Sequence, residues 1–512
     1  MKFSGILSLL LLTSLAMGEE KWLVINEDND HYFKQDAQWM TREHLQGYID
    51  AMAETHVTHF FMCPQGQRAS YDSQATEPVW EGIVGGEEVS YGGPENVRWV
   101  TNCKTLAEKG IDPYTVWIER CREKKISPWM TMRMNDVHFT DNWTYFRNLN
   151  FWRENPQLWR VPNCSRKNWN DCAFNYAHQE VRDYHLGIVR ELFQRYDFDG
   201  FELDWMRFCL HLTPGKAQEE GKYLTEVVRQ VRQIAREWEV KRGHPIRISV
   251  RVPVNPNVAR EMGMDAVAWA KEGLVDVIVA SCFFSSGDYD IPVALWKEQL
   301  GEMASRIPIL VGIDNGVTPG SPASRTTLDH ALYNGWAANM HYLKADGLYL
   351  FNLVYLPAVF QGVITKGLER ETIRNAPRRH PISYHDYMTR PTHGDEGRQL
   401  PKKTDREISL KILFGSKPER GNVEVILAFQ EKGLEREGWD VTLQGEKPLS
   451  CEVIPQAQRY GSAGSALRWT FPLSAVEEGY NTVHLRPTDG KTALLIWAEM
   501  ASCFVKETKM SK

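Results

Sequence analysis

The chain has 512 residues, a formal net charge of −6, 42% apolar residues and 25% charged residues. These are values of an ordinary globular protein, and they exclude a disordered chain, a collagen, a coiled coil and a polybasic nucleic-acid-binding protein. At roughly 150 residues per domain the length suggests three domains, but a barrel of about 250 residues or more makes two equally acceptable. The 18 tryptophans are unusually many, and they indicate either a large core or aromatic surfaces on which sugar rings stack.

The first 18 residues have the pattern of a signal peptide. Lys2 supplies a positive charge, an apolar run extends from Ile6 to Leu15, and Ala16 and Gly18 form a small-x-small cleavage site. The apolar run is shorter than the roughly 20 residues that span a bilayer. We therefore expect an exported protein, secreted or periplasmic, that does not insert into the membrane.

Cysteine spacing argues against a metal site. The nine cysteines form no CxxC pair and no Cys/His ligand spacing, so we expect no zinc and no other cofactor. Cys164 and Cys172 lie in one polar segment, where they form a disulfide or remain free thiols.

Eight β-rich runs alternate with helical patterns, which predicts parallel βαβ units. The helical pattern is clearest over residues 181–196. We predict an α/β fold, a (β/α)8 TIM barrel over residues 19–385. An open doubly wound sheet is the alternative, but no strand is followed by a Gly-rich phosphate-binding turn. The predicted strands are 22–26, 58–62, 127–135, 200–205, 246–252, 275–281, 307–313 and 347–352.

The last part of the chain has a different pattern. Residues 386–406 are rich in proline, glycine and charge and predict a linker. Residues 407–512 contain alternating strands and no long helical pattern, which predicts a small all-β, jelly-roll-like sandwich. Its predicted strands are 408–414, 423–429, 439–443, 466–472, 482–485 and 493–498.

Catalytic side chains of such barrels lie at the carboxyl ends of the strands, and the fourth strand carries two acids there. Side chains alternate along a strand, so Glu202 and Asp204 should both point inward, about 6.6 Å apart. Two acids this close shift each other's ionisation, which favours a catalytic role for Asp204 and a supporting role for Glu202. The alternative is that both acids pair with arginines of the barrel.

Other polar residues end neighbouring strands. The same alternation points Arg133, Asn135 and Arg251 inward, with Arg207 following the fourth strand. These cations either hold the acids in place or bind an anionic group such as a uronate or sulfate. Further polar groups end other strands, although single acids there are more often turn or cap residues. They are Glu27, Asp136, His138, Asp314 and Asn352.

The connection between the third and fourth strands is a loop of about 40 residues, and loops this long are usually functional. It carries Trp143, Trp152, Trp159 and Trp169. The four tryptophans form a platform for sugar rings or pack together as the loop's own core, and the sequence favours neither.

Two motifs carry a family resemblance. The run from Asp199 to Asp204 resembles the fourth-strand signature of TIM-barrel glycosidases, including the family 18 chitinases. Glu202 replaces an Asp of the chitinase pattern and Met206 replaces its catalytic Glu, so we reject the chitinase mechanism. A closer resemblance is to bacterial glycosyl-hydrolase-like barrels, in which an N-x-x-H-x-E-V-R-D helix start precedes a Y-D-x-D-G strand. Here these motifs run over residues 175–183 and 196–204.

The resemblance implies a glycosidase fold and a carbohydrate substrate. Residues 479–485 look like the edge of jelly-roll modules attached to β-galactosidase-type enzymes, which implies an accessory role for the second domain. Nothing in the sequence points to a nucleic-acid partner, and the oligomeric state stays open.

We therefore hypothesise a glycoside hydrolase with two catalytic carboxyl groups. Asp204 is the expected nucleophile or charge stabiliser, and Asp314 or Asp136 is its partner. A glycan-binding protein without catalytic activity is the alternative, and a metal-dependent hydrolase is disfavoured by the scarcity of paired histidines. The residues expected to contact the substrate are Glu27, Arg133, Asn135, His138, Glu202, Arg207, Arg251 and Asn352.

Overall fold

The computed structural model describes residues 22–83, 85–282, 287–383, 398–488 and 492–503. The predicted signal peptide and the first part of the predicted linker lie outside these residues. No helix within the described ranges combines the length and the apolar character that a membrane crossing requires.

Eight parallel strands close into a barrel, which confirms the predicted fold class. Around the barrel their order is β1-β10-β7-β6-β5-β4-β3-β2, and each predicted strand run overlaps one of them. The strands are β1 Trp22–Glu27, β2 His59–Met62, β3 Ser127–Arg133, β4 Gly200–Asp204, β5 Arg247–Pro253, β6 Val277–Ser281, β7 Ile309–Ile313 and β10 Gly347–Phe351. A short hairpin of β8 Gly316–Val317 and β9 Thr326–Thr327 follows β7.

Helices connect the strands and bury their apolar sides against the barrel. The helix predicted over residues 181–196 is α5, and it buries Val181, Leu192 and Phe193 among other residues. The helices are α1 Arg42–Asp50, α2 Pro94–Glu108, α3 Pro113–Glu123, α4 Asn150–Glu154, α5 Gln179–Arg195, α6 Ala217–Arg242, α7 Pro256–Glu261, α8 Ala266–Lys271, α9 Val293–Leu300, α10 His330–Tyr342, α11 Pro357–Lys366 and α12 Arg370–Arg374.

Large apolar side chains fill the lower part of the barrel interior. Trp22, Phe61 and Trp129 pack there with valines of β6 and with Tyr349. Gly200 begins β4 beside this layer, and a Cβ atom on it would lie 2.3 Å from the Trp129 ring. The glycine of the Asp-Gly motif therefore makes room for the tryptophan, and the polar residues of β4 lie above it toward the mouth.

The second domain is a sandwich of antiparallel sheets, as predicted. One sheet has the order β11-β19-β14-β17-β16, with β12 also on β19, and the other has the order β13-β18-β15. The apolar side chains between them, such as Leu410, Val425 and Leu485, form a separate core. The strands are β11 Arg378–Pro381, β12 Lys402–Lys403, β13 Ile408–Leu413, β14 Asn422–Phe429, β15 Trp439–Leu443, β16 Ser450–Val453, β17 Ser465–Pro472, β18 Tyr480–Pro487 and β19 Leu494–Cys503.

Three of these strands have no counterpart in the sequence prediction: β11, β12 and β16. Their residues are mostly polar, so the alternation of apolar and polar side chains that identifies a strand is absent. Backbone pairing holds them instead, β11 and β12 on β19 and β16 on β17. β11 lies within the range predicted for the barrel, yet it is a strand of the sandwich.

The junction between the two domains is closely packed. A Cβ atom on Gly335 of α10 would lie 1.9 Å from the carbonyl oxygen of Arg379 in β11. Arg379 forms two hydrogen bonds to Glu499 of β19, at 3.0 and 2.8 Å, and a third to Asp329 at 3.1 Å. Arg379 thus joins β11 to β19 through Glu499 and to the start of α10 through Asp329.

Candidate active site

A buried acid forms the floor of the barrel mouth. Oε1 of Glu202 accepts hydrogen bonds from the hydroxyl groups of Thr131 at 2.7 Å and Tyr349 at 2.8 Å. Oε2 accepts one from Ser249 at 3.4 Å. Tyr349 belongs to β10, on the opposite side of the barrel from β4, so its contact crosses the interior. Glu202 therefore points inward, as the strand alternation predicts.

Burial raises the pKa of the Glu202 carboxyl to about 7, with Asp204 as the next cause. The Tyr349 hydroxyl, which donates to Glu202, also accepts from Nδ2 of Asn26 at 2.8 Å. The floor is therefore a polar layer in which one acid can hold a proton at neutral pH.

Asp204 forms a buried ion pair with Arg251 one strand away. Nε of Arg251 lies 2.9 Å from Oδ1 and Nη2 lies 2.8 Å from Oδ2, so the guanidinium group binds both oxygens. Oδ1 also accepts from the backbone N–H groups of Met206 at 2.9 Å and Arg207 at 3.1 Å. The contacts fix the direction of the carboxylate at the end of β4. The side chain that occupies the position of the chitinase acid, Met206, is apolar and buried.

A second network surrounds Asp136. Its Oδ2 accepts from Arg133 at 2.7 Å and Arg147 at 3.0 Å, and its Oδ1 contacts Nδ1 of His138. Burial alone would raise the pKa of the Asp136 carboxyl. The contact with His138 and the charges of Arg147 and Arg133 hold this pKa well below its usual range. Gly66 closes over the group, because a Cβ atom there would lie 2.9 Å from Oδ2. Asp136 is therefore enclosed, with each oxygen already engaged.

His138 connects this network to the opposite side of the mouth. Its Nε2 lies 3.3 Å from Nη2 of Arg207. Burial, with Arg147 nearby, lowers the pKa of His138 to about 3. A neutral ring that donates to Asp136 through Nδ1 and accepts from Arg207 through Nε2 satisfies both contacts. Arg133 also reaches Asp28, so one guanidinium group bridges the ends of β1 and β3.

The end of β1 carries a fourth acid in the mouth. Glu27 accepts from the Tyr32 backbone N–H at 3.2 Å, from the Tyr48 hydroxyl and from Nδ1 of His31, which lies 3.0 Å from Oε1. His31 and Tyr349 were not among the residues selected from the sequence. The strand pattern around Tyr349 gives no signal of a site residue. For His31 a signal exists, because it directly follows the acidic run of residues 27–30.

Asp314 accepts hydrogen bonds from two neighbouring amide groups. Its Oδ1 accepts from the Asn315 backbone N–H at 2.6 Å and from Nδ2 of Asn352 at 3.3 Å. Asn352 has a positive φ of 58°, an uncommon conformation for a residue other than glycine. Asp314 and Asn352 thus occur together, at the ends of the neighbouring strands β7 and β10.

Asn135 serves the loop that follows β3. Its side-chain oxygen accepts from the backbone N–H of Phe174 at 3.1 Å, and its nitrogen donates to the carbonyl of the same residue at 2.9 Å. The nitrogen also lies 3.3 Å from Nδ1 of His211. These contacts tie the far end of the loop to the mouth.

The four loop tryptophans divide between the two predicted roles. Trp152 and Trp159 are buried and stacked with ring centroids 4.6 Å apart, so they form a core within the loop. Trp143 is half-buried, and its ring lies 4.8 Å from the Arg166 guanidinium carbon. Trp169 is also half-buried, 6.3 Å from His138 between ring centroids, and borders the mouth.

Phe139 extends this aromatic surface. Its side chain is 44% exposed and its ring centroid lies 5.1 Å from that of Trp169. Its φ is 53°, a left-handed conformation that costs an L residue roughly 1–2 kcal/mol. Strained backbone of this kind is found most often at functional sites. The strain places an aromatic ring in solvent next to His138, where burial would otherwise be favoured.

The thiols of Cys164 and Cys172 lie in the same loop, with the sulfur atoms 3.6 Å apart. A shift of about 1.5 Å would bring them to the disulfide bond length of about 2.05 Å. Under oxidising conditions we expect this disulfide to form and to raise the free energy of unfolding by about 2–4 kcal/mol. Peptide mass spectrometry after alkylation without reduction would show the linked peptides.

Cys451, half-buried in the second domain, is the control for this measurement and should be alkylated in the same sample. Alkylation of both Cys164 and Cys172 in the unreduced, oxidised protein would contradict the prediction.

No group of three or more His, Cys, Asp or Glu side chains arranged to hold a metal ion occurs in the described part of the chain. No family model matches the chain, and no curated protein matches it.

Solved structures with the same kind of fold match over most of the chain. A cycloisomaltooligosaccharide glucanotransferase from Paenibacillus sp. is 10% identical with a TM-score of 0.34, and the match covers 94% of this chain and 57% of that one. An α-L-fucosidase isoenzyme 1 from Paenibacillus thiaminolyticus is 12% identical with a TM-score of 0.35, covering 92% and 97%. A class V chitinase from Pseudomonas fluorescens Pf-5 is 10% identical with a TM-score of 0.38, covering 68% and 100%.

Glycoside hydrolases are prominent among the matched structures. The chain spans little more than half the length of the glucanotransferase. Because these identities and TM-scores are low, the chemistry of the mouth follows from its own side chains alone.

Proposed function

We propose that the protein is an exported glycoside hydrolase that binds a carbohydrate at the carboxyl end of the barrel. The observation that carries the proposal is an aromatic pair, the exposed Phe139 and the half-buried Trp169, directly beside a buried network of acids and arginines. Aromatic faces bind the apolar faces of sugar rings. Burying an ion costs several kcal/mol, so this density of buried charge is difficult to explain as a stability device.

Two carboxyl groups are suited to the reaction. Asp204 is proposed to stabilise the positive charge that develops at the anomeric carbon or to attack that carbon, because Arg251 and two backbone N–H groups hold it in one orientation. Asp314 is proposed as its partner across the mouth, with Asn352 positioning it. Asp136 lies enclosed beneath Gly66 and binds two arginines and His138, so we propose that it positions these side chains.

The arginines around the mouth also bear on the substrate. Arg133, Arg207 and Arg251 are all largely buried, and each contacts an acid or a histidine of the network. They are suited to orient hydroxyl groups, and a sugar that carries a carboxylate or sulfate would gain charge-assisted hydrogen bonds. We therefore propose a panel that includes uronate-containing and sulfated glycans as well as neutral ones.

The test is reducing-end release from this glycan panel by the full-length protein. Asp314→Asn is expected to lower the rate by about 10²-fold or more, as does loss of a carboxyl group that transfers a proton. Asparagine has nearly the shape of aspartate and keeps an acceptor oxygen for the Asn315 backbone N–H, so the variant should fold. Asp204→Asn should have a comparable effect and keeps the acceptor oxygen that the backbone N–H groups need.

Asp405→Asn, at an exposed acid of the second domain, is the matched control and should leave the rate unchanged. Full activity of both folded variants, or the absence of release from every glycan, would refute the proposal.

A glycan-binding protein without catalytic activity is the second candidate. The pairing of Asp204 with Arg251 and of Asp136 with Arg133 favours it, since arginines that occupy acids leave fewer of them to react. Affinity electrophoresis on the same panel distinguishes the two functions. Retardation that Phe139→Ala abolishes, without release of reducing ends, would support binding alone.

A further inference from the structure

His31 stands at the mouth in a fixed orientation. It follows β1 by four residues, and its Nδ1 lies 3.0 Å from Oε1 of Glu27. Glu27 is itself held by the Tyr48 hydroxyl from α1 and by the Tyr32 backbone N–H. The carboxylate therefore accepts a hydrogen bond from Nδ1–H and keeps a proton on that ring nitrogen.

The other nitrogen of the ring, Nε2, is available to a substrate. Within the described residues no side chain or backbone group forms a hydrogen bond to it, and the His31 side chain is 15% exposed. The ring packs edge-on against Tyr355, which follows β10, with centroids 5.0 Å apart. The ring is thus held by Glu27 and Tyr355, and its Nε2 atom is open.

His138 provides the comparison within the same mouth. Its Nδ1 also contacts a carboxylate, that of Asp136, but its Nε2 is engaged by Arg207 at 3.3 Å. A cation at that position prevents the ring from carrying a second proton. The two carboxylate–histidine pairs therefore differ in one respect, the group that faces the outer nitrogen.

We propose that His31 is the catalytic residue that transfers the proton to the leaving group, and that Glu27 is its positioning residue. The inference rests on the proposed glycoside hydrolysis. The Nε2–H group gives its proton to the glycosidic oxygen while the bond from that oxygen to the anomeric carbon breaks. Water then adds to the anomeric carbon and gives one proton to the proposed partner acid, Asp314. Exchange with solvent moves a proton from Asp314 back to Nε2, so the products are two free hydroxyl groups and the protein is unchanged.

The charges around the ring support this role. Burial alone would lower the pKa of His31, but the Glu27 carboxylate raises it above its ordinary value, and Asp30 and Asp28 act in the same direction. The other titratable groups that face the ring are the phenols of Tyr48 and Tyr355, and burial raises the pKa of both. Asp30 and Asp28 are themselves paired with Lys34 and Arg133, so the Glu27 carboxylate is the main charge that favours a protonated ring.

The first test compares leaving groups. Substitution His31→Asn keeps an N–H group near the position of Nδ1 but cannot transfer a proton. On a glycan that the wild type cleaves, we expect a loss of about 10²-fold or more. On the 2,4-dinitrophenyl glycoside of the same sugar, whose leaving group needs no proton, we expect a loss of less than about tenfold. The exposed His44, as His44→Asn, is the matched control and should behave as the wild type.

The second test does not depend on activity. Diethyl pyrocarbonate acylates a neutral, accessible imidazole nitrogen, and mass spectrometry locates the product. We expect His31 to be acylated faster than His138, with a pH midpoint that falls in the variant Glu27→Gln. Resistance of His31 to the reagent, or equal losses on both substrates in His31→Asn, would overturn the proposal. A wild type that cleaves no substrate would refute the proposed function instead.

Discussion

Replacing Asp204 with alanine is expected to lower the free energy of unfolding by about 3–5 kcal/mol. The substitution leaves the Arg251 guanidinium buried without the carboxylate that binds two of its nitrogen atoms. It also removes the acceptor for two backbone N–H groups at the end of β4. Chemical unfolding of the full-length protein, followed by fluorescence and circular dichroism, measures the change.

The double variant Asp204→Leu with Arg251→Met is the informative control. Replacement of a buried ion pair by apolar side chains of similar volume is often neutral or stabilising. The double variant should therefore recover most of the stability that Asp204→Ala loses. A loss of less than about 1 kcal/mol in Asp204→Ala would mean that water reaches Arg251. The ion pair would then not be a buried one, which contradicts the prediction.

Replacing Glu202 with glutamine is expected to stabilise the protein at pH 8 more than at pH 5. The pKa of Glu202 is about 7 in the folded protein, against an ordinary value of 4.5. Between these values the folded state binds more protons than the unfolded state, so stability falls as the pH rises. The full effect over the whole transition is about 3–4 kcal/mol, at 1.36 kcal/mol per unit of pKa.

Glutamine reproduces the protonated form of this acid. Its carbonyl oxygen can accept from Thr131 and Tyr349, and its NH₂ group can donate to the Ser249 hydroxyl. All other titrating groups are common to the two proteins, so the difference between their unfolding free energies at the two pH values isolates Glu202. A difference that does not change with pH would show that the acid is ionised throughout.

The fold was largely predictable from the sequence because apolar runs and their alternation determine it directly. The inward direction of Glu202 and Arg251 follows from the same alternation. The hydrogen bond of Glu202 to Tyr349 and the contact of Arg251 with the Phe351 ring confirm it. Short polar strands such as β11 carry no such signal, because only pairing with a distant strand makes them extended.

The partners within the site could be predicted less well. Which arginine pairs with Asp204, or which hydroxyl group reaches Glu202 across the barrel, depends on side-chain lengths and on the curvature of the closed sheet. The difference between His31 and His138 depends on the location of Arg207, a residue far from both in sequence. Likewise, the left-handed conformation at Phe139 could not be predicted, because the residue is neither glycine nor asparagine.

The placement of β11 bears on how the protein can be divided. A truncation at the predicted linker, residues 386–406, would leave β11 attached to the barrel and separate it from β19, the strand with which it pairs. The buried side chains of Arg378 and His380 would then be exposed on one fragment, and a bare strand edge on the other. The two domains are consequently a single unit for expression and engineering. During synthesis, β11 cannot pair with its partner strand until β19 has been made.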